Sequence, residues 1–258
     1  MTHPYFVRAE QPRIFAHRGL VTAAGRESGV WENTAAAFAA AHAVGAEYIE
    51  TDCQVTADGD VVLFHDRDLR RLLDDPRAVS EVRTRELSEL FAEHGGLLTV
   101  AEALSAFPET RFNIDVKTSA AAVPLGPILS AHTHRVLVTS FSDANRRATV
   151  EAVRRTGTVL RPATSGGSRT IAALRLLSAM RLSPARLLRE IDALQIPERH
   201  GAVTVLTPAL IRAAHRVGTE VHVWTVNEAE DMRRLVDAGV DGVVTDRADV
   251  AVATLRTL

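Results

Sequence analysis

Seven side chains in this 258-residue sequence have the types and spacing for phosphoryl chemistry: His17, Arg18, Glu50, Asp52, His65, Asp115 and Lys117. Glu50 and Asp52 stand two apart, as do Asp115 and Lys117. On extended backbone each pair therefore points to one face. Three carboxylates drawn to one patch cannot all stay ionised unaided, because like charges disfavour joint ionisation. A divalent cation resolves that conflict, and an all-oxygen donor set favours a hard ion, Mg²⁺ or Ca²⁺, over zinc. Glu50, Asp52 and Asp115 are the candidate ligands. His17 and His65 are then free to act as general base and general acid, each worth roughly 10²–10⁴-fold in rate. Arg18 and Lys117 suit the non-bridging oxygens of a phosphate. Together these groups describe metal-assisted phosphoryl chemistry.

Lys117 is the sole lysine among 30 Lys and Arg residues. A compact ammonium differs from a planar guanidinium in fit and in response to burial. A lone lysine beside Asp115 thus hints at a position that needs the smaller cation. Each pattern alone also has an ordinary reading. His-Arg-Gly is a common turn, Glu-x-Asp a solvated strand edge, and Asp-x-Lys a local ion pair. Their joint placement at the ends of successive strands is what argues for a site.

The elements that must position these groups alternate in type. Strands are expected at Arg13–His17, 47–55, 112–116, 136–140, 159–161, 191–194, 220–225 and 242–245. Helical patterns lie between most of them, for example at 35–44, 208–217 and 228–238. Asn33 and Thr34 are candidate caps for the first of these helices. Eight strands in βα alternation predict a TIM-type (β/α)8 barrel, whose functional groups lie at the C-terminal strand ends. Thr56-Ala57-Asp58-Gly59 reads as a turn leading to an extra hairpin strand at 61–64. That hairpin sets His65 opposite Asp52, give or take a residue. The charged stretch 67–96 reads as a small insertion over one barrel end, within a single domain spanning 1–258.

Bulk properties narrow the class. The formal net charge is −2 and hydrophobic content 46 %, which supplies a core and argues against a dedicated nucleic-acid binder. Cys53 is the single cysteine, so an intrachain disulfide is excluded. The N-terminus lacks a basic region followed by an apolar one, and no apolar run approaches the ~20 residues of a membrane span. A cytoplasmic protein without stable membrane insertion is expected. The run Ser165-Gly166-Gly167-Ser168 before a helix is either an anion cradle or a plain loop and cap. His132 and His134 should lie at the barrel end opposite the site. His222 should be a hydrogen-bonded core group, with His42 and His215 on helices.

A longer ordered text runs through the chain. It reads His17-Arg18-Gly19, Glu32-Asn33-Thr34, Glu50-Thr51-Asp52, Thr56-Ala57-Asp58-Gly59 leading to His65-Asp66, and Asp115-Val116-Lys117. Trp224-Thr225-Val226-Asn227, Asp241-Gly242 and Thr245-Asp246 complete it. This text resembles the glycerophosphodiester phosphodiesterase family of the phospholipase-C-like superfamily. The resemblance implies a barrel with a small insertion after the His-Asp pair, one divalent cation, and hydrolysis of small glycerophosphodiesters to glycerol 3-phosphate and an alcohol. It implies His17 and His65 as the acid/base pair, Glu50, Asp52 and Asp115 as metal ligands, and Arg18 and Lys117 as phosphate contacts. It further implies Phe141 and Trp224 as apolar walls of the substrate pocket, and Glu32 as a group near the metal.

Three departures bear on substrate choice. Asp115 stands where the family commonly has glutamate. The segment 20–30 is longer than usual and ends at Trp31, where proline is usual. The insertion at 67–96 is short, which leaves the mouth open. Two alternatives remain at this point: a lysophospholipase-D-like enzyme with Trp31 walling an apolar groove, and a non-catalytic phosphate-ligand barrel. The second would be expected to lack His17 or His65, and both are present.

Overall fold

The computed structural model describes residues 2–7 and 9–256. Its strands are β1 (Arg13–His17), β2 (Tyr48–Val55), β3 (Val61–Leu63), β4 (Arg111–Val116), β5 (Val136–Thr139), β6 (Ala163–Thr164), β7 (Ala193–Ile196), β8 (Arg199–His200), β9 (Val203–Thr204), β10 (Glu220–Val223) and β11 (Gly242–Thr245). Parallel pairing runs β6-β5-β4-β2-β1-β11-β10-β7. A parallel bridge between Ser165 and Ala193 joins the two ends. The result is a nearly closed eight-stranded barrel with helices outside, as the alternation predicts.

Alternation along the strands decides what faces where. Ile49, Cys53, Phe112, Ile114 and Val116 point outward into one core with Phe38 and Leu104 of the surrounding helices. Phe15, Tyr48, Leu137, Ala163, Ala193 and Val244 fill the lower barrel. The 3₁₀ turn Pro4–Phe6 plugs the bottom with fully buried Tyr5. The polar residues Glu50, Asp52 and Asp115 are left for the upper interior. This layering is why these acidic residues sit at alternate positions.

β3 forms the expected hairpin with β2. The Phe64 amide donates to the Asp52 carbonyl at 3.0 Å, so His65 lies one residue past the position opposite Asp52. The stretch 67–96 folds back with a small apolar core of its own, in which Leu69, Val79, Leu87 and Phe91 pack with Val62 and Phe64. Trp31 stacks on His94 at 3.6 Å between ring centres and meets Phe91 edge-on.

Two strand assignments shift. The fifth barrel strand is Ala163–Thr164, where 159–161 was expected; Val159 is wholly exposed in the preceding loop. Pro162 has no amide hydrogen to give a ladder, so pairing starts after it. The sixth is Ala193–Ile196, two residues later than 191–194. Asp192 is instead spent at the barrel bottom, where it grips Arg161 and accepts from the Thr164 amide. The short hairpin β8–β9 was not expected. The strand before the 229–237 helix ends at Val223, short of 225. Among the described residues no helix is long and apolar enough to cross a membrane.

Candidate active site

His17 closes β1 at the top of the barrel and pairs in register with Glu50, while Asp52 pairs with Asp115. Arg18 follows in a left-handed conformation, φ 56°, which non-glycine residues adopt rarely. Its amide donates to the Glu50 carbonyl at 2.8 Å, and its carbonyl accepts from Asn33 at 2.9 Å. The strained turn thereby aims the guanidinium inward. Gly19 must be glycine here: a Cβ would fall 2.8 Å from the Ala37 backbone. Thr34 caps the 35–43 helix, its hydroxyl accepting from the Ala37 amide. Asn33 does not cap. Its side chain donates to Asp52 at 3.3 Å and accepts from Thr51 at 2.7 Å.

His17, Arg18, Glu50, Asp52, His65, Asp115, Lys117, Phe141 and Trp224 all line one cavity of about 600 Å³. Phe141 and Trp224 meet edge to face at its rim, 5.9 Å between ring centres. Glu32 lies behind the wall and accepts from Arg18 at 2.8 Å and from Arg71 at 2.5 Å. Trp31 does not reach the cavity; it secures the insertion, so the expectation of a tryptophan wall is corrected. The Ser165–Ser168 run borders the cavity, but its amides are taken within the chain: those of Ser165, Gly166 and Ser168 donate to the carbonyls of Val138, Ala193 and Phe141, and that of Gly167 to a carboxylate. Asp143 accepts from the amides of Gly167 and Thr170 at 3.1 and 3.3 Å. The anion cradle is thus filled from within the chain.

Both imidazoles are held by carboxylates. His17 Nδ1 lies 2.6 Å from Asp246 Oδ1, and Asn227 donates to the other Asp246 oxygen at 2.9 Å. An Nδ1 proton given to Asp246 leaves His17 Nε2 facing Glu50, at 3.8 Å. His65 Nδ1 lies 2.6 Å from Asp66, which also accepts from Arg71 at 2.5 Å. Asp246, Asn227, Asp66 and Arg71 received no role from the sequence reading. The signal for the first three was their place in the ordered text. For Arg71 there was none.

The carboxylates differ in their surroundings. Asp52 meets Lys117 Nζ at 2.8 Å and Arg18 Nε at 3.1 Å. Burial pushes its pKa up, but the two cations outweigh burial and bring it below the usual range. Asp115 shares Lys117 at 2.7 Å, yet burial and the charge of Asp52 carry it upward. It has one cation where Asp52 has two, which accounts for the opposite directions. Glu50 is pushed up to about 8 by burial and by Asp52. For His17, burial lowers the pKa, but the Asp246 hydrogen bond and the Glu50 charge prevail and raise it. Lys117 is desolvated, and its two carboxylates more than compensate.

Lys117 stands between Asp52 and Asp115, and among the described residues no three acidic, His or Cys side chains form a ready metal cage. Among the three carboxylates of this patch, Glu50 Oε2 and Asp115 Oδ1 are nevertheless buried without a hydrogen-bond partner. A buried carboxylate oxygen with no partner is costly. Carboxylate oxygen is also the donor a hard cation prefers. The donor chemistry and the unmet oxygens fit a divalent ion at this patch.

Elsewhere the histidines behave as expected. His222 is fully buried and lies 3.0 Å from Glu220 Oε2 near the barrel bottom. His132 stands beside Arg135 just before β5, at the opposite end from the site. His215 pairs with Asp241 on the outside.

The chain is similar to known proteins along nearly its whole length. The family model described as "Glycerophosphoryl diester phosphodiesterase family" matches residues 17–250. A Mycobacterium tuberculosis protein named "Probable glycerophosphodiester phosphodiesterase 2" is 38 % identical over 226 residues, 84 % of this chain and 83 % of that one. The crystal structure of a Thermotoga maritima glycerophosphodiester phosphodiesterase superposes with TM-score 0.71 at 24 % identity, covering 93 % of this chain and 96 % of that one. An Oleispira antarctica phosphodiesterase solved with sn-glycerol-3-phosphate gives TM-score 0.71 at 18 % identity, covering 95 % and 97 %. These two likenesses establish the barrel. With the family match spanning almost the whole sequence, the chain belongs to the glycerophosphoryl diester phosphodiesterase family.

Proposed function

We propose that the protein is a metal-dependent phosphodiesterase that cleaves glycerophosphodiesters to glycerol 3-phosphate and an alcohol, with His17 and His65 as the acid/base pair. The observation that carries this reading is the cavity itself. Two imidazoles, each anchored at Nδ1 by its own carboxylate, share it with Arg18 and Lys117. Anchoring fixes the tautomer and leaves each Nε2 to exchange a proton. One imidazole takes the proton of the attacking hydroxyl, either water or the glycerol 2-hydroxyl; in the second case the alcohol leaves a cyclic phosphate, which water, deprotonated in turn, then opens to glycerol 3-phosphate. The other protonates the leaving alcohol oxygen. Arg18 and Lys117 neutralise charge on the non-bridging oxygens as it builds in the transition state. Glu50, Asp52 and Asp115 would hold Mg²⁺ or Ca²⁺, which supplies Lewis-acid neutralisation of that same charge when bound. Phe141 and Trp224 wall the glycerol end.

Product analysis tests the reading. Incubation with glycerophosphocholine, glycerophosphoethanolamine and glycerophosphoglycerol should release glycerol 3-phosphate from at least one of them. His17→Ala and His65→Ala should each lower kcat at least about 100-fold while metal affinity is retained. Turnover at the wild-type rate in either variant would reject the acid/base assignment.

One feature favours a second reading within the same chemistry. Beyond the polar end, the cavity lining is mainly apolar, an arm of Ile171, Ala172, Pro197, Val203 and Val205 with Arg175 and His200 beside them. A lysophospholipase-D-like enzyme needs such a groove for its acyl chain. The arm lies between the helix Ser168–Ala179 and the β8–β9 hairpin, away from Trp31. Rates on lysophosphatidylethanolamine against glycerophosphoethanolamine separate the two substrates.

A further inference from the structure

The helix Ser168–Ala179 and the loop after it carry an unusual surface. Ala172, Leu176, Ala179 and Met180 recur at helical spacing on the outward face, where all four are exposed. Leu176 is 62 %, Met180 59 % and Leu182 47 % exposed, three of the nine most exposed large apolar side chains. The inward face is apolar too: Leu174 is fully buried. A helix that is apolar on both faces is normally covered on both. From Ser168 to Arg189 the sequence holds five arginines and no acid, in a chain of net charge −2. Arg169, Arg181, Arg186 and Arg189 are exposed. Arg154 and Arg161, by contrast, are paired with Glu190 and Asp192. Among the described residues none of the five meets a carboxylate; Arg175 donates to the Thr204 carbonyl.

We infer that this face docks on an anionic lipid bilayer. An apolar ridge rimmed by unpaired arginines fits the boundary between acyl chains and negative headgroups. A second copy of the chain is a poor cover, because a two-fold contact sets the same patch against itself and would bring arginine against arginine. A nucleic acid would satisfy the arginines but leave Leu176, Met180 and Leu182 in water. Ile171, Ala172 and Arg175, in the first turns of this same helix, line the cavity, whereas Leu176, Met180 and Leu182 follow toward its C-terminal end. The inference rests on the surface alone and stands whether the cavity takes a deacylated or an acylated diester.

Co-sedimentation of the full chain with sucrose-loaded vesicles tests it. Binding is expected to vesicles of phosphatidylcholine mixed with phosphatidylglycerol, and to weaken with salt. Little binding is expected to phosphatidylcholine alone. The double variant Arg181→Gln/Arg186→Gln should lose roughly tenfold or more in partition, since each cation near an anionic surface counts for about fivefold. Leu176→Asp/Met180→Asp should abolish binding even at low salt. The charge-matched control Arg83→Gln/Arg233→Gln should bind as the wild type does. All three variants should hydrolyse glycerophosphoethanolamine normally in vesicle-free buffer, which separates this inference from the catalytic reading. Equal partition onto both vesicle types, or unchanged partition in both patch variants, would overturn it. So would a dimer broken by Leu176→Asp, or retention of duplex DNA without vesicle binding.

Discussion

At the scale of single residues, Lys117 ties together carboxylates from two neighbouring strands. Its ammonium bridges Asp52 and Asp115 at 2.8 and 2.7 Å, and it lies 5.7 Å from the Phe141 ring centre. A guanidinium is wider and planar and cannot occupy the same gap between two carboxylates. Lys117→Arg is therefore expected to lower kcat by about 100-fold or more, with an unchanged far-ultraviolet circular dichroism spectrum. Wild-type turnover in that variant would mean that the solitary lysine has no steric cause. The carboxylates, histidines and cations were legible in the sequence because strand alternation puts i and i+2 on one face. The pairing of Asp246 with His17 was not legible, although Asp246 stood in the ordered text, and Arg71 carried no signal. Asp246 meets His17 across the β1–β11 seam, 229 positions away in sequence, and Arg71 reaches Glu32 and Asp66 from the insertion. Such pairings depend on which strand ends become neighbours and not on any local spacing.

At the scale of elements, the strands with strong apolar alternation were located within a residue or two, and β6 was not. Its two residues carry no periodic signal, and its position is set by Pro162 before it and by Asp192 reaching across from the next strand. The β8–β9 hairpin was likewise invisible, since its four strand residues are all exposed and two residues a strand are too few for an alternation to show. The insertion was seen as an excursion, but Trp31, expected as a candidate wall of the substrate groove, belongs to its attachment. Trp31 packs between His94 and Phe91, and its amide donates to the His94 carbonyl at 3.0 Å. Trp31→Ala is expected to destabilise the fold by about 2 kcal/mol, less than a fully buried tryptophan would cost. The ratio of rates on lysolipid and deacylated substrates should not move. Urea denaturation and paired assays check both parts. An altered substrate ratio with unchanged stability would return Trp31 to the substrate wall.

At the scale of the whole molecule, the barrel separates a polar mouth from a stabilising floor. Near the bottom, Arg13 donates to Glu220 at 2.9 and 3.3 Å, and His222 lies 3.0 Å away. Burial raises the Glu220 carboxyl, but hydrogen bonds with His222 and Arg13 outweigh burial and bring it down to about 2. Its unfolded value is about 4.3. A depressed folded pKa gives stability that is fully present above the unfolded value and lost as pH falls through the folded one. The contribution, roughly 3 kcal/mol at neutral pH, should therefore fade between about pH 5 and pH 2. In urea titrations Glu220→Gln should be less stable than the wild type at pH 7, and the two curves should converge as pH falls across that window. A gap that persists unchanged at pH 2 would show that the effect is packing and not charge.

The mouth holds the central claim, that Glu50, Asp52 and Asp115 hold a hard divalent cation where the phosphodiester is cut. The direct measurement is the rate of glycerol 3-phosphate release from the best glycerophosphodiester, first after exhaustive chelation and then during titration with Mg²⁺ or Ca²⁺. Chelation is expected to abolish turnover, one of the two ions to restore it saturably, and Glu50→Gln to shift the titration to higher metal concentration. Full turnover in the chelated protein would contradict the claim.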